Sequence, residues 1–175
     1  MLEPKGQMTK FKAVLVDFDG CIVKVNQQVS PRVKQALIAA KDKIRVSIAT
    51  GRSATGRVGE IIKELVLSGP HIVYGGAAIL DGLTSEFLWQ ALLSPNVVSD
   101  ILTILEKNKI DFIVYEGNDK YFAIKDAAVH YDPSQNYKKL SDLPNKAVLR
   151  FNIRFDNDEK TAIYYQKLFS SKYPT

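Results

Sequence analysis

The sequence predicts an α/β fold whose first half is built around a parallel sheet and whose second half is an α+β lobe. Three observations carry this reading. Strand-like and helix-like patterns alternate as βαβαβ from Ala13 to Tyr74, the order of a parallel sheet with right-handed crossovers. The regular alternation then gives way to an α+β lobe that begins around Phe87 to Ser94. At 175 residues, the chain can hold one ordinary domain, or one domain plus a smaller lobe.

Taken in order, Ala13 to Phe18 is an apolar, β-branched run suited to a strand buried on both faces. Ser30-Pro31 supplies an N-cap and a first-turn proline, and Val33, Ala36, Leu37 and Ala40 share one face of the helix that follows. Ile44 to Ala49 reads as the second strand. Val58, Ile61, Ile62 and Leu65 mark a second helix, closed by Ser68-Gly69-Pro70, and His71 to Tyr74 forms a short third strand. Ala78 to Thr84 reads as a hairpin around Asp81-Gly82. Ser94-Pro95 opens a third helix with Val98, Ile101, Leu102 and Leu105 inward. Asp111–Glu116 and Lys120–Lys125 flank Gly117-Asn118-Asp119 as a second hairpin. Val148 to Phe155 alternates as a half-covered strand, and Asp158 to Ser171 is a final amphipathic helix. The expected division is 1–88 for the parallel part and 89–175 for the α+β lobe.

Composition narrows the function. A hydrophobic fraction of 46% with 25% charged residues is that of a folded soluble chain. No apolar run approaches the ~20 residues needed to span a bilayer, and the stretch MLEPKGQMTKFK contains no apolar segment of the kind a leader would need. The single cysteine, Cys21, excludes an internal disulfide and fits a reducing compartment, so a cytoplasmic location is expected. Net charge +5 favours acidic ligands, but the basic residues form no aromatic-basic stripe. Neither a nucleic acid nor a membrane is an expected partner.

The chemistry concentrates in the stretch AVLVDFDGCIV. In open parallel sheets, ligands bind outside the carboxyl ends of the strands. Asp17 and Asp19 sit at that end of the first strand and Thr50 at that end of the second. Alternation along an extended chain turns both aspartates to one side and Phe18 to the other, and Gly20 permits a sharp turn. Two carboxylates this close repel unless a cation lies between them, which points to magnesium. One carboxylate can then attack phosphorus, while the other serves as acid and base. Thr50 and the amides around Gly51 would hold phosphoryl oxygens, and Gly20 is counted with them on the phosphate-binding side. Arg52 is read either as a phosphate or substrate ligand or as a surface arginine at a helix start.

The combination of DFDGCIV, SPRVKQAL and VSIATGR resembles the haloacid dehalogenase superfamily of aspartate-nucleophile phosphatases, and more closely its Cof-type branch. The resemblance extends over the whole chain, while its specific motifs lie in residues 13 to 79. It implies a Rossmann-like parallel-sheet core with an inserted α+β cap that closes over the site and selects the substrate. It further implies Asp17 as phosphorylated nucleophile, Asp19 as general acid/base and Thr50 as phosphoryl ligand. Magnesium would be bound by the Asp17 carboxylate and the Asp19 carbonyl. The substrate would be a small phosphorylated metabolite such as a sugar phosphate. A non-catalytic binding or regulatory protein on the same fold is the alternative. A receiver domain fits less well, because its acidic pair precedes the phosphorylated strand end.

Several positions depart from the family pattern. Cys21 replaces the usual threonine after DxDG, and Gln27 stands where a cysteine phosphatase would need arginine. Gly75-Gly76-Ala77 replaces Asn-Gly-Ala, which removes a polar group near the substrate. Gly51 to Gly56 has the glycine spacing of a P-loop, but Arg57-Val58 replaces the required Lys and Ser/Thr. His71 and His130 have no partner spacing and are read as non-functional. The family's later core segment, with a lysine and further acidic residues, has no counterpart in these 175 residues. The strand from Ala13 would then form a bare sheet edge, expected to be covered by a separate carboxyl-terminal fragment or by a second copy in an oligomer.

Overall fold

The computed structural model describes residues 11–24, 28–123, 137–144, 147–155 and 158–174. The chain divides into two compact units, Met1–Ala91 and Leu92–Thr175.

The sheet of the first unit has the order β1-β2-β3-β4-β5, with β1 Ala13–Asp17, β2 Arg45–Ala49, β3 Pro70–Val73, β4 Ala78–Asp81 and β5 Phe87–Gln90. The pairs β1–β2 and β2–β3 are parallel, whereas β3–β4 and β4–β5 are antiparallel. Helix α1 (Pro31–Lys41) joins β1 to β2 and helix α2 (Arg57–Glu64) joins β2 to β3. These are the crossovers that parallel neighbours require.

Local chemistry explains most of the boundaries. Ser30 caps α1, its hydroxyl accepting the Val33 N–H at 3.3 Å, and Pro31 occupies the first turn. Leu37 is the buried residue of α1, while Ala36 lies exposed despite its place on the expected apolar face. Helix α2 buries Val58, Ile61 and Ile62, each removal from water being worth roughly 1.5–3 kcal/mol as an upper bound. It ends at Glu64, earlier than Ser68-Gly69-Pro70, because Val66 adopts φ 50° and turns the chain. Pro70 instead opens β3. The Lys41 ammonium donates to the Leu65 carbonyl at 2.7 Å, satisfying one acceptor left by the helix end. Lys34 of α1 pairs with Glu64 of α2.

Two expectations need correction. β1 is not buried on both faces, since Leu15 is 56% exposed, whereas its place at the edge of the sheet is the expected one. Among the described residues, β2 is its only strand neighbour. The hairpin at Asp81-Gly82 is also wider than a two-residue turn, because the connection runs from Gly82 to Glu86. The Asp81 carboxylate accepts the N–H groups of Leu83 and Thr84, both at 2.8 Å, which starts the turn as an Asx motif. Gly82 is required by close approach: a Cβ there would lie 1.9 Å from the Leu67 carbonyl oxygen.

His71 has a structural role. It is fully buried, its Nδ1 accepts the Ile48 N–H at 3.0 Å, and its Nε2 lies 3.1 Å from the Leu67 carbonyl. That pairing requires the neutral ring with its proton on Nε2. The side chain thereby joins β2 to the turn after α2.

The second unit is a four-stranded sheet in the order β8-β7-β6-β9. Its strands are β6 Asp111–Glu116, β7 Asp119–Ala123, β8 Tyr137–Lys139 and β9 Val148–Arg154. Asp119 pairs with Glu116, so Gly117-Asn118 alone forms the turn. The end of the expected strand at Lys125, like His130, lies outside the described residues. Helix α3 (Pro95–Lys107), capped by Ser94, and helix α4 (Glu159–Lys172), capped by Asp158, complete the unit. Val98, Ile101 and Leu105 of α3 pack with Phe112, Val114 and Val148 of the sheet, and Phe169 of α4 lies against the same cluster.

Burial pushes the His71 pKa below its ordinary value of about 6.5, because the charged ring would have to be desolvated. Between the lowered folded value and the ordinary unfolded one, the unfolded chain binds more protons, so stability falls as pH drops through 6.5. Denaturant midpoints measured from pH 7.5 to 5 should therefore decline, with a slope no steeper than about 1.4 kcal/mol per pH unit. His71→Gln should flatten that dependence.

Candidate active site

The parallel register aligns Asp17 with Ala49, so Asp17 and Thr50 emerge at the same end of neighbouring strands. Beyond Asp17 the chain turns tightly. Phe18 is fully buried between two exposed aspartates, the arrangement that alternation of side chains predicts. The N–H groups of Ile22 and Val23 both donate to the Phe18 carbonyl at 3.0 Å, and the Gly20 N–H donates to the Val23 carbonyl at 2.9 Å. Gly20 has φ 80°, a left-handed conformation that a side chain would strain. Cys21, which follows Gly20 in this turn, is exposed.

The facing loop is fastened by its backbone. The Thr50 N–H donates to the Ile72 carbonyl at 3.0 Å, and the Thr50 carbonyl accepts the Gly75 N–H at 3.0 Å. The Thr50 hydroxyl accepts the Arg52 N–H at 3.1 Å, while the Arg52 carbonyl accepts the Tyr74 N–H at 2.8 Å. Gly51 lies in the bend between these anchors. Tyr74 is buried at φ 56°, an unusual conformation for a residue with a side chain. The Tyr74-Gly75 segment after β3 therefore holds the segment after β2, a role the sequence reading did not assign.

Arg52 connects the two loops. Its Nε lies 3.0 and 2.9 Å from the two Asp19 carboxylate oxygens, and its Nη2 lies 2.6 Å from Oδ1. The guanidinium carbon sits 5.4 Å from the centroid of the Phe18 ring. Of the sequence-predicted residues, Asp19 and Arg52 are thus in direct contact. Asp17, at the end of β1, accepts the Phe18 N–H on Oδ1 at 2.7 Å. The ring under Arg52 was not foreseen; the DFD spacing and the ATGR segment contain its parts but give no distance between them.

The oxygen donors at this end of the sheet, the Asp17 carboxylate and the Asp19 carbonyl, match the preference of magnesium for hard oxygen ligands with retained waters. Among the described residues, no group of three or more His, Cys, Asp or Glu residues could hold a metal ion. No helix among them is long and apolar enough to cross a membrane.

The parallel strands and the acidic pair at their carboxyl ends agree with the sequence relationship. The chain belongs to the family of haloacid dehalogenase-like hydrolases, whose model matches residues 14–174. Among curated proteins, none matches the chain in sequence. A haloacid dehalogenase-like hydrolase from Bacteroides thetaiotaomicron is similar in structure, with TM-score 0.73 and 20% identity over 93% of this chain and 64% of that one. One from B. subtilis gives 0.70 and 19% over 90% and 66%. A subclass IIB sugar phosphatase of the same superfamily gives 0.67 and 18% over 89% and 63%. At these identities the likeness is one of fold. The chain spans less than two thirds of the length of each of these structures.

Removing the Thr50 hydroxyl should destabilise the first unit, since it would leave the Arg52 N–H without its acceptor. Thr50→Val should cost about 0.5–1.5 kcal/mol in chemical denaturation, and Thr50→Ser should recover most of it.

Proposed function

We propose that this chain carries the nucleophile-bearing part of a magnesium-dependent phosphomonoester hydrolase. Asp17 attacks the phosphorus of a small phosphorylated metabolite, such as a sugar phosphate, and an aspartyl-phosphate forms as the alcohol leaves. Asp19 protonates the leaving oxygen and then takes a proton from the water that hydrolyses the intermediate. The Thr50 hydroxyl and the amides around Gly51 hold the phosphoryl oxygens. Gly20 gives the turn its shape, and Arg52 adds positive charge beside the phosphate. The Asp17 carboxylate and the Asp19 carbonyl would hold magnesium, which when bound neutralises charge on the phosphate.

The observation that carries this reading is the β1–β2 register, which places Asp17 and Thr50 at one end of adjacent parallel strands. Membership of the hydrolase family supports the reaction class. The structural likeness to a sugar phosphatase supports the substrate class. On this reading the first unit, Met1–Ala91, is the catalytic core and the second is the substrate-selecting cap. The edge position of β1 supports the further reading that a separate segment or a second copy pairs with it. The absence of a cysteine pair from the sequence supports a cytoplasmic location.

The test is hydrolysis of a panel of phosphomonoesters, hexose phosphates among them, with and without magnesium. In a version that also carries the later core segment, Asp17→Asn should reduce phosphate release to background while leaving the circular dichroism spectrum unchanged. Asp19→Asn should permit phosphorylation but slow turnover, by roughly a hundredfold or more for a lost proton shuttle. Full magnesium-dependent hydrolysis by Asp17→Asn would refute the assignment.

A further inference from the structure

We propose that Arg52 is an exchangeable clamp: it holds the Asp19 carboxylate in place until a phosphate group enters, and then transfers to the phosphate. The inference rests on the proposed phosphatase site and adds a positioning device to it. Its basis is the geometry around one guanidinium. Both Asp19 oxygens lie within hydrogen-bond distance of Arg52, through Nε at 3.0 and 2.9 Å and Nη2 at 2.6 Å. The Phe18 ring beneath is fully buried and so fixed by the core. The Arg52 backbone is tied to Thr50 on one side and Tyr74 on the other. A guanidinium anchored in this way is a fixed fork, while the carboxylate it holds is on a short side chain that is 52% exposed.

The same fork suits a phosphate. Guanidinium groups bind carboxylate and phosphate in the same bidentate way, and a phosphate dianion brings more charge to the pairing. A phosphate seated at Asp17 and Thr50 would lie at the strand ends from which Arg52 projects, two residues beyond Thr50. Exposed ion pairs are weak, so the Asp19 contact can be exchanged at small cost. Exchange has a chemical consequence. With Arg52 engaged by Asp19, the carboxylate that must move a proton is held by the cation. With Arg52 engaged by phosphate, Asp19 is released to turn toward the leaving oxygen. Substrate binding would then itself deliver the acid/base group.

Inorganic phosphate is the probe, added in magnesium-containing buffer to the 175-residue chain with its arginine side chains and aspartate carboxyl carbons isotopically labelled. The Arg52 Nε–H resonance and the Asp19 carboxyl carbon should shift together, with one shared titration midpoint. Asp19→Asn removes the competitor and should tighten phosphate binding by about two- to fivefold, the range a weak exposed pair can account for. That gain should vanish in the Arg52→Gln background, and Arg52→Lys, which keeps the charge without the fork, should also lose it. An equal gain in both backgrounds would mean simple charge repulsion and would overturn the clamp. So would phosphate binding with no movement of the Arg52 resonance, or no phosphate binding at all. Failure of the clamp alongside Asp17-dependent hydrolysis would leave the phosphatase reading standing. Coupled shifts alongside hydrolysis insensitive to Asp17→Asn would do the reverse.

Discussion

The candidate site depends on the pairing of β1 with β2 as parallel neighbours in a single register. That register aligns Asp17 with Ala49, so the acidic turn after one strand and the Thr50 loop after the next leave the sheet side by side. A slip of one residue would turn Asp17 to the opposite face and set it against a different partner. The register is backed by burial on one side only, since β2 is flanked by β3 while β1 has an exposed side. The strand that bears the acidic pair is therefore held chiefly by its ladder with β2 and by the buried Phe18 at its end.

Phe18 links packing to chemistry. Its ring sits in the core of the first unit, its carbonyl collects two N–H groups of the following turn, and its face supports Arg52. A polar turn bearing two carboxylates would otherwise have little to define it. Tyr74 and Gly75 do the equivalent work for the loop opposite, donating to Arg52 and Thr50 through the main chain. Both halves of the site are thus positioned mostly by backbone hydrogen bonds.

The two units solve the core problem differently. In the first, helices follow strands and connect parallel neighbours. In the second, a mainly antiparallel sheet gathers Phe112, Val114 and Val148 beneath α3 and α4. The capping serines Ser30 and Ser94, each followed by proline, mark helix starts in both units, which is why those starts were readable from the sequence.

Local signals by themselves determined the strand-helix order, the helix caps, the acidic pair at a strand end and the family relationship. Each of these rests on interactions between residues close in the chain, or on patterns repeated every two or four positions. Other features were decided only by the tertiary structure. β1 reads as doubly buried because its residues are apolar, yet its exposure is set by what lies beside it, and Leu15 faces outward. His71 looks unpartnered in sequence, but Ile48 and Leu67 meet it across the fold. Arg52 and Asp19 are 33 positions apart, so no local pattern could place their charges in contact. Residue type and spacing specify which groups are available, but a distance between groups on different strands exists only once the sheet has formed and its register has brought their ends together.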